Sequence, residues 1–307
     1  MKFFGKTSNI DFLKQRRLAF ALSTLCILLT IISIVLHGGL HYGIDFAGGT
    51  LVQVKFKDTA PIQDIRDLFD DLNIGTGQIQ QFGESNDVLI NIQTSDNAQG
   101  EAVKQLKGGL VKRFGDASFS IERVEIVGPK VGKDLSTKAI LALAYSLIGI
   151  LIYVSYRFEL RFALAAVAAL AHDTIITVGA FSIADKEFTL PVIAALLTVI
   201  GYSLNDTIVV FDRIRENLRL KRSLPLFELA NLSINQTIGR TIITSGTTLF
   251  VVIAIFIFGG SVIHDFSFAM LIGVVVGTYS SIFVASSILI AWPGTTTQTL
   301  SLAVKKK

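Results

Sequence analysis

The chain has 307 residues, 51% of them hydrophobic and 17% charged, with a formal net charge of +4 at pH 7. Soluble domains carry about 25% charged residues, so an ordinary water-soluble enzyme is excluded, and the mild charge marks no nucleic-acid binder. The one cysteine, Cys26, excludes an internal disulfide and a multi-cysteine metal site.

A helix needs roughly 20 mostly apolar residues to cross the hydrocarbon of a bilayer. The basic segment 1–17, with Lys2, Lys6, Lys14, Arg16 and Arg17, precedes a first such stretch at 18–36. That run is longer than the ~7–15 residues of a secretory signal core, and it reads as an uncleaved anchor.

Residues 37–136 are polar, with 14 acidic and 10 basic side chains. Val52, Val54 and Phe56 alternate with polar neighbours and predict a strand. Pro61 opens a helix carrying Ile62, Ile65, Leu68, Phe69 and Leu72 on one face. Strands follow around Ile79 and around Val88, Ile90 and Ile92, with a turn at residues 83–86 between them. A second helix carries Val103, Leu106, Leu110, Val111 and Phe114. In a last strand, residues 119–127, the alternation slips phase near Arg123, as a bulge produces. The order β-α-β-β-α-β is that of a ferredoxin-like α+β domain. No nucleophile–base pair and no metal cluster appears in it, so binding or mechanical coupling is expected of it rather than chemistry.

Five more apolar stretches lie at 137–156, 162–183, 190–211, 240–258 and 266–292. The expected architecture is therefore a polytopic α-helical membrane protein with six transmembrane helices. Its ferredoxin-like domain lies outside, between helices 1 and 2. The helices of 137–292 include a basic connection at 212–239, and a tail at 293–307 ends in Lys305, Lys306 and Lys307. Arg157 and Arg161, then Arg213, Arg215, Arg219, Lys221, Arg222 and Arg240, fall on the side of the N-terminus if six spans alternate. Positive charge is retained in the cytoplasm, so both termini are expected there.

Three ionisable residues lie within the spans: His172, Asp173 and Asp206, while Arg240 opens the fifth. Such groups are expensive in hydrocarbon and default to functional candidates. Asp173 and Thr177 share a helix face, as do Thr198, Tyr202, Asn205 and Asp206, and as do Arg240, Thr244, Thr247 and Thr248. Three polar stripes predict a seam inside the bundle. A carboxylate there, held between desolvation and a nearby guanidinium, can take up and release a proton. Asp206 with Arg240 is the candidate pair, with Asp173, His172 and Asn205 alongside. Arg240 reads equally as a basic charge snorkelling to the membrane surface. For Asp173, function and structure stand level, and His172 reads first as a hydrogen-bonded interhelical histidine. Gly273 and Gly277 make a Gly-x-x-x-Gly face for close helix packing. The scheme needs no cofactor and no metal.

Four ordered blocks resemble the SecF members of the SecD/SecF family of protein-export membrane subunits. They are Gly43-Ile44-Asp45-Phe46-Ala47-Gly48-Gly49-Thr50, Val127-Gly128-Pro129-Lys130-Val131-Gly132, His172-Asp173, and Gly201-Tyr202-Ser203-Leu204-Asn205-Asp206-Thr207. The last runs into a block from Val210 to Asn217, and Ile234 to Thr241 resembles the start of the family's fifth span, with Gly239 in place of serine. The resemblance covers about residues 10–292. It implies a membrane core of the resistance-nodulation-division type, formed with SecD in the bacterial inner membrane. It further implies association with SecYEG, YajC and YidC, and use of the proton-motive force in preprotein export after the ATP-driven SecA step. Proton conduction would fall on Asp206 and Arg240. Half of a proton-driven small-molecule efflux transporter is the alternative. It expects two large external domains, whereas residues 259–265 form only a short connection.

Overall fold

In a computed structural model of the chain, the described residues are 9–72, 74, 76–82, 84–93, 99–221 and 223–292. Lys2, Lys6, Gly83 of the expected turn, Arg222 and the expected tail 293–307 lie outside the described residues.

After α1 (Arg16–Leu36) and a single turn α2 (Ile44–Ala47), the chain forms β1 (Gly49–Phe56) and α3 (Ile62–Leu72). It continues through β2 (Thr76–Gln81), β3 (Asp87–Gln93), α4 (Gln99–Phe114) and β4 (Phe119–Val127). The four strands make one antiparallel sheet in the order β2-β3-β1-β4, the ferredoxin-like unit that the element order predicts. Its core is the inward set of β1 (Val52, Val54, Phe56) packed on Ile65, Leu68 and Phe69 of α3 and on Leu106 and Leu110 of α4. Gln53 pairs with Arg123 but Val54 with Ile121, so Glu122 is the extra residue of a bulge beside Arg123.

The remaining helices are α5 (Pro129–Arg157), α6 (Leu160–Ile183), α7 (Leu190–Leu220), α8 (Leu226–Phe258) and α9 (His264–Ser280). A π-helical turn, Ser281–Ala285, joins α9 to α10 (Ser286–Ala291). Counting α9 through α10 as one, six helices among the described residues are long and apolar enough to cross a membrane. Pro61, Pro129, Pro191 and Pro225 each stand at a helix start, where a missing N–H costs nothing. The bundle centre is α6, α7 and α9, whereas α1, α5 and α8 present Leu25, Ile152 and Phe250 outward.

Two helices run further than their apolar stretches. The basic connection expected at 212–239 is helical up to Leu220 and again from Leu226. Buried Asn217 donates to Ser233 Oγ and to Gln236 Oε1, both at 2.8 Å, and so zips the extended ends of α7 and α8 together. Asn231 and Asn235 hold the entering chain by its Ile10 carbonyl. The second span likewise starts at Pro129 rather than 137, because Gly128 and Pro129 begin the helix directly at the end of β4.

Candidate functional site

Two carboxylates are sealed inside the bundle: Asp173 on α6 and Asp206 on α7 are each 1% exposed. Their surroundings are set by how closely α9 approaches α7. A side chain at Gly273 would overlap Val199, and a Cβ at Gly277 would lie 2.8 Å from the Ser203 Cβ. The two glycines therefore let α9 lie directly on α7, bringing Ser280 to Asp173 and Thr278 to the Ser245 that holds Asp206.

Asp173 is saturated. Its Oδ2 accepts from Ser203 Oγ of α7 at 2.6 Å and from Ser280 Oγ of α9 at 2.7 Å. Its Oδ1 lies 2.9 Å from Nδ1 of the neighbouring His172. Nε2 of that ring lies 3.0 Å from Ser23 Oγ of α1, which in turn lies 3.1 Å from the Tyr279 hydroxyl. Tyr279 donates to the Ala19 carbonyl at 2.7 Å. One polar network thus ties four helices together around Asp173.

Asp206 is held differently. Its Oδ2 accepts from Ser245 Oγ of α8 at 2.9 Å, and Ser245 accepts from Thr278 Oγ1 of α9 at 2.8 Å. Thr244 lies within reach of the same carboxylate, and Arg240 is near enough to act on it electrostatically. No ion pair joins Asp206 to Arg240 among the described residues, and Arg240 is exposed. Just beyond Asp206, the buried Thr207 hydroxyl has no hydrogen-bond partner among the described residues. One turn before it, Tyr202 donates to the Thr244 carbonyl at 2.7 Å and its oxygen lies 2.8 Å from Thr248 Oγ1, pinning α7 to α8.

The three stripes therefore do not close into one seam. Asp173, Thr177 and Asp206 are buried, but Thr198, Asn205, Arg240 and Thr247 lie on a face that this chain leaves uncovered. The reason is geometric: α7 and α8 turn one polar side inward and another outward. Ser23, Ser203, Ser245, Thr278, Tyr279 and Ser280 were not singled out from the sequence. A serine three residues before Asp206, and the consecutive hydroxyls Thr278, Tyr279 and Ser280 at the end of α9, were the available signals.

The glycine blocks build the junction between sheet and bundle. Gly48 has φ +74° and Gly49 φ +135°, conformations that side chains rarely adopt. A Cβ at Gly48 would lie 2.9 Å from Pro129 Cα, and one at Gly132 would lie 2.8 Å from the Phe46 carbonyl. Gly43 donates its N–H to the Phe188 carbonyl at 3.0 Å. Asp45 accepts from the Leu190 N–H at 2.8 Å and so caps α7, whose own Thr189 side chain makes no capping bond. Glu187, in the same connection, has its carboxyl pushed above its ordinary value, chiefly by burial.

A buried carboxylate held by hydroxyls, with a guanidinium nearby that forms no ion pair among the described residues, can exchange a proton with little rearrangement. Among the described residues no group of three or more His, Cys, Asp or Glu is placed to hold a metal ion.

Residues 107–295 match the family described as "Protein export membrane protein SecD/SecF, C-terminal", and residues 34–60 match the "SecD/SecF GG Motif". The chain is 47% identical over 285 residues to the protein translocase subunit SecF of Calditerrivibrio nitroreducens, covering 92% of this chain and 93% of that one. It is 48% identical over 293 residues to the corresponding subunit of Magnetococcus marinus, covering 94% of both. It superposes on solved SecDF, a translocon-associated membrane protein from Thermus thermophilus, with a TM-score of 0.84 and 36% identity. That match covers 94% of this chain but only 39% of the solved one.

Proposed function

The chain belongs to the SecF translocase subunits of the SecD/SecF family, and from that premise we propose that it draws on the proton-motive force, with a SecD partner, to drive late steps of preprotein export. The single observation that carries this reading is the setting of Asp206: buried, bonded to Ser245 with Thr244 in reach, and with Arg240 near but in no ion pair among the described residues. Asp206 is the exchanging group. Arg240 stabilises its charged form when close and releases it when withdrawn. Asp173 and His172 form the fixed polar centre against which α7 and α9 move, and Asn205 sits on the uncovered polar face that a partner's helices would complete.

The assembly works in the bacterial inner membrane. Lys14, Arg16, Arg17, Arg157, Arg161 and Arg213 gather at the end of the bundle opposite the sheet, and that end is cytoplasmic, with both termini. The ferredoxin-like domain is then periplasmic. Its partners are SecD, the SecYEG channel, YajC, YidC and the moving preprotein, and its action follows the SecA step. A potential of ~150 mV supplies roughly 3.5 kcal/mol per charge moved, enough to bias a two-state motion. Against the efflux alternative, α8 and α9 are joined by Gly259 to Ile263 alone.

The test is export driven by an imposed gradient in vesicles containing the chain and its partner. Asp206→Asn should abolish the gradient-dependent part while insertion and partner binding persist. Unchanged export kinetics would overturn the proposal.

A further inference from the structure

Hydrogen-bond donors around Asp173 can be counted one by one, and the count fixes where protons sit. A carbonyl oxygen only accepts, so Tyr279 spends its one hydroxyl proton on Ala19 at 2.7 Å. The contact between Ser23 Oγ and the Tyr279 oxygen, 3.1 Å, must then use the Ser23 proton. With its proton spent there, Ser23 can only accept from His172 Nε2 at 3.0 Å, which requires a proton on Nε2. At the other end, Asp173 Oδ2 accepts from Ser203 at 2.6 Å and from Ser280 at 2.7 Å, the shorter contact of a Ser280 hydroxyl whose other neighbour is the Gly277 carbonyl at 3.1 Å. The remaining contact, His172 Nδ1 to Asp173 Oδ1 at 2.9 Å, also needs one proton between its atoms.

We infer that His172 and Asp173 together hold one proton more than a carboxylate beside a neutral imidazole, so that this chain carries a second proton-holding site apart from Asp206. The proton rests on Nδ1, giving an imidazolium facing a carboxylate, or on Oδ1, giving an acid donating to a bare Nδ1. Both arrangements have the same proton count and no net charge. A neutral pair avoids leaving a lone charge in a site where His172 is 6% and Asp173 1% exposed.

The opposite tautomer, with Nδ1–H toward the carboxylate and Nε2 bare, is the one histidines adopt when an aspartate merely orients them. Here it would set Ser23 and Tyr279 oxygen to oxygen with no proton between them. The groups facing the pair are Ser23 from α1, Ser203 from α7, and Tyr279 and Ser280 from α9. The titratable side chains close by are Tyr279 and, beside it, Cys26, with Asp206 three residues beyond Ser203 on α7. Both sites lean on α9, Asp173 through Ser280 and Asp206 through Ser245 and Thr278. The inference relies on the relay reading for the use of the proton, not for its presence.

The experiment is nitrogen magnetic resonance on histidine-labelled full chain with its partner in lipid vesicles, near neutral pH. The chain has 4 histidines, and His172→Gln identifies the signal by subtraction. A proton on His172 Nε2 is expected, with Nδ1 either protonated or accepting a strong hydrogen bond. Tyr279→Phe frees the Ser23 proton to reach Nε2, so this variant should hold the pair's proton about tenfold less tightly. Should it fail to fold, Ser23→Ala removes the same acceptor. A bare Nε2 in the parent protein, or the same proton affinity in Tyr279→Phe, would overturn the inference. Asp206→Asn should leave the His172 signal unchanged. Loss of gradient-driven export in that variant reports on the relay alone, so the two readings fail separately.

Discussion

Asp173 and Asp206 are the same chemical group, equally buried, on adjacent helices of one bundle, yet their surroundings differ. Asp173 has both oxygens engaged, by two serines and a histidine drawn from three helices. Asp206 has one serine on one oxygen, a threonine of the same helix α8 in reach, and an arginine that forms no ion pair with it. Under the proposed relay, burial by itself therefore does not mark the exchanging acid. The number of donors committed to the carboxylate does, because each committed donor must be released or replaced before the group can change state.

The comparison can be broken most strongly at Asp173. Asp173→Leu strips the acceptor from Ser203, Ser280 and His172 at once, and removing one member of such a buried set costs about 3–5 kcal/mol. Thermal unfolding in mild detergent should register a large fall in midpoint. A fall no larger than that of Asp206→Asn would erase the distinction between the two sites. Next in size is Gly277→Val, which drives a side chain against Ser203. Overpacking of this kind costs about 1–3 kcal/mol, and the loss should show in the same unfolding assay. Asp206→Asn retains an oxygen for Ser245 and should change stability by less than about 1 kcal/mol, while removing gradient-driven export.

The smallest expected effect lies outside the membrane helices, at Glu187. Burial raises its affinity for a proton, Asp265 and Asp45 add to this, and the buried Asn91 side chain and His41 oppose it. The folded junction thus binds the proton more tightly than the unfolded chain. Junction stability is greatest at acid pH and falls as pH rises above the ordinary carboxylate value of 4.5. Glu187→Gln should flatten this slope in a pH series of unfolding midpoints. A slope unchanged in that variant would assign it to other groups.

Much of the architecture was legible because it is periodic. Six apolar runs, the β-α-β-β-α-β order and the phase slip near Arg123 are local patterns that packing preserved. The helical extensions through 212–220 and 226–239 were not legible, since their stability rests on Asn217 meeting Ser233 and Gln236 across a helix turn-around. Asp206 and Asp173 stood out as charges in apolar surroundings. Ser23 and Ser280 did not, because a lone serine in an apolar helix is unremarkable until its partner is known. The partner of Asp45 lies 145 residues along the chain, at the start of α7. No local pattern announces such a contact.

Infrared difference spectroscopy of the chain with its partner in vesicles, recorded as the outer pH is lowered, tests the contrast between the two acids most directly. A carboxylic C=O band that grows on acidification, vanishes in Asp206→Asn and survives in Asp173→Asn is the predicted result. A band that persists in Asp206→Asn would contradict the account.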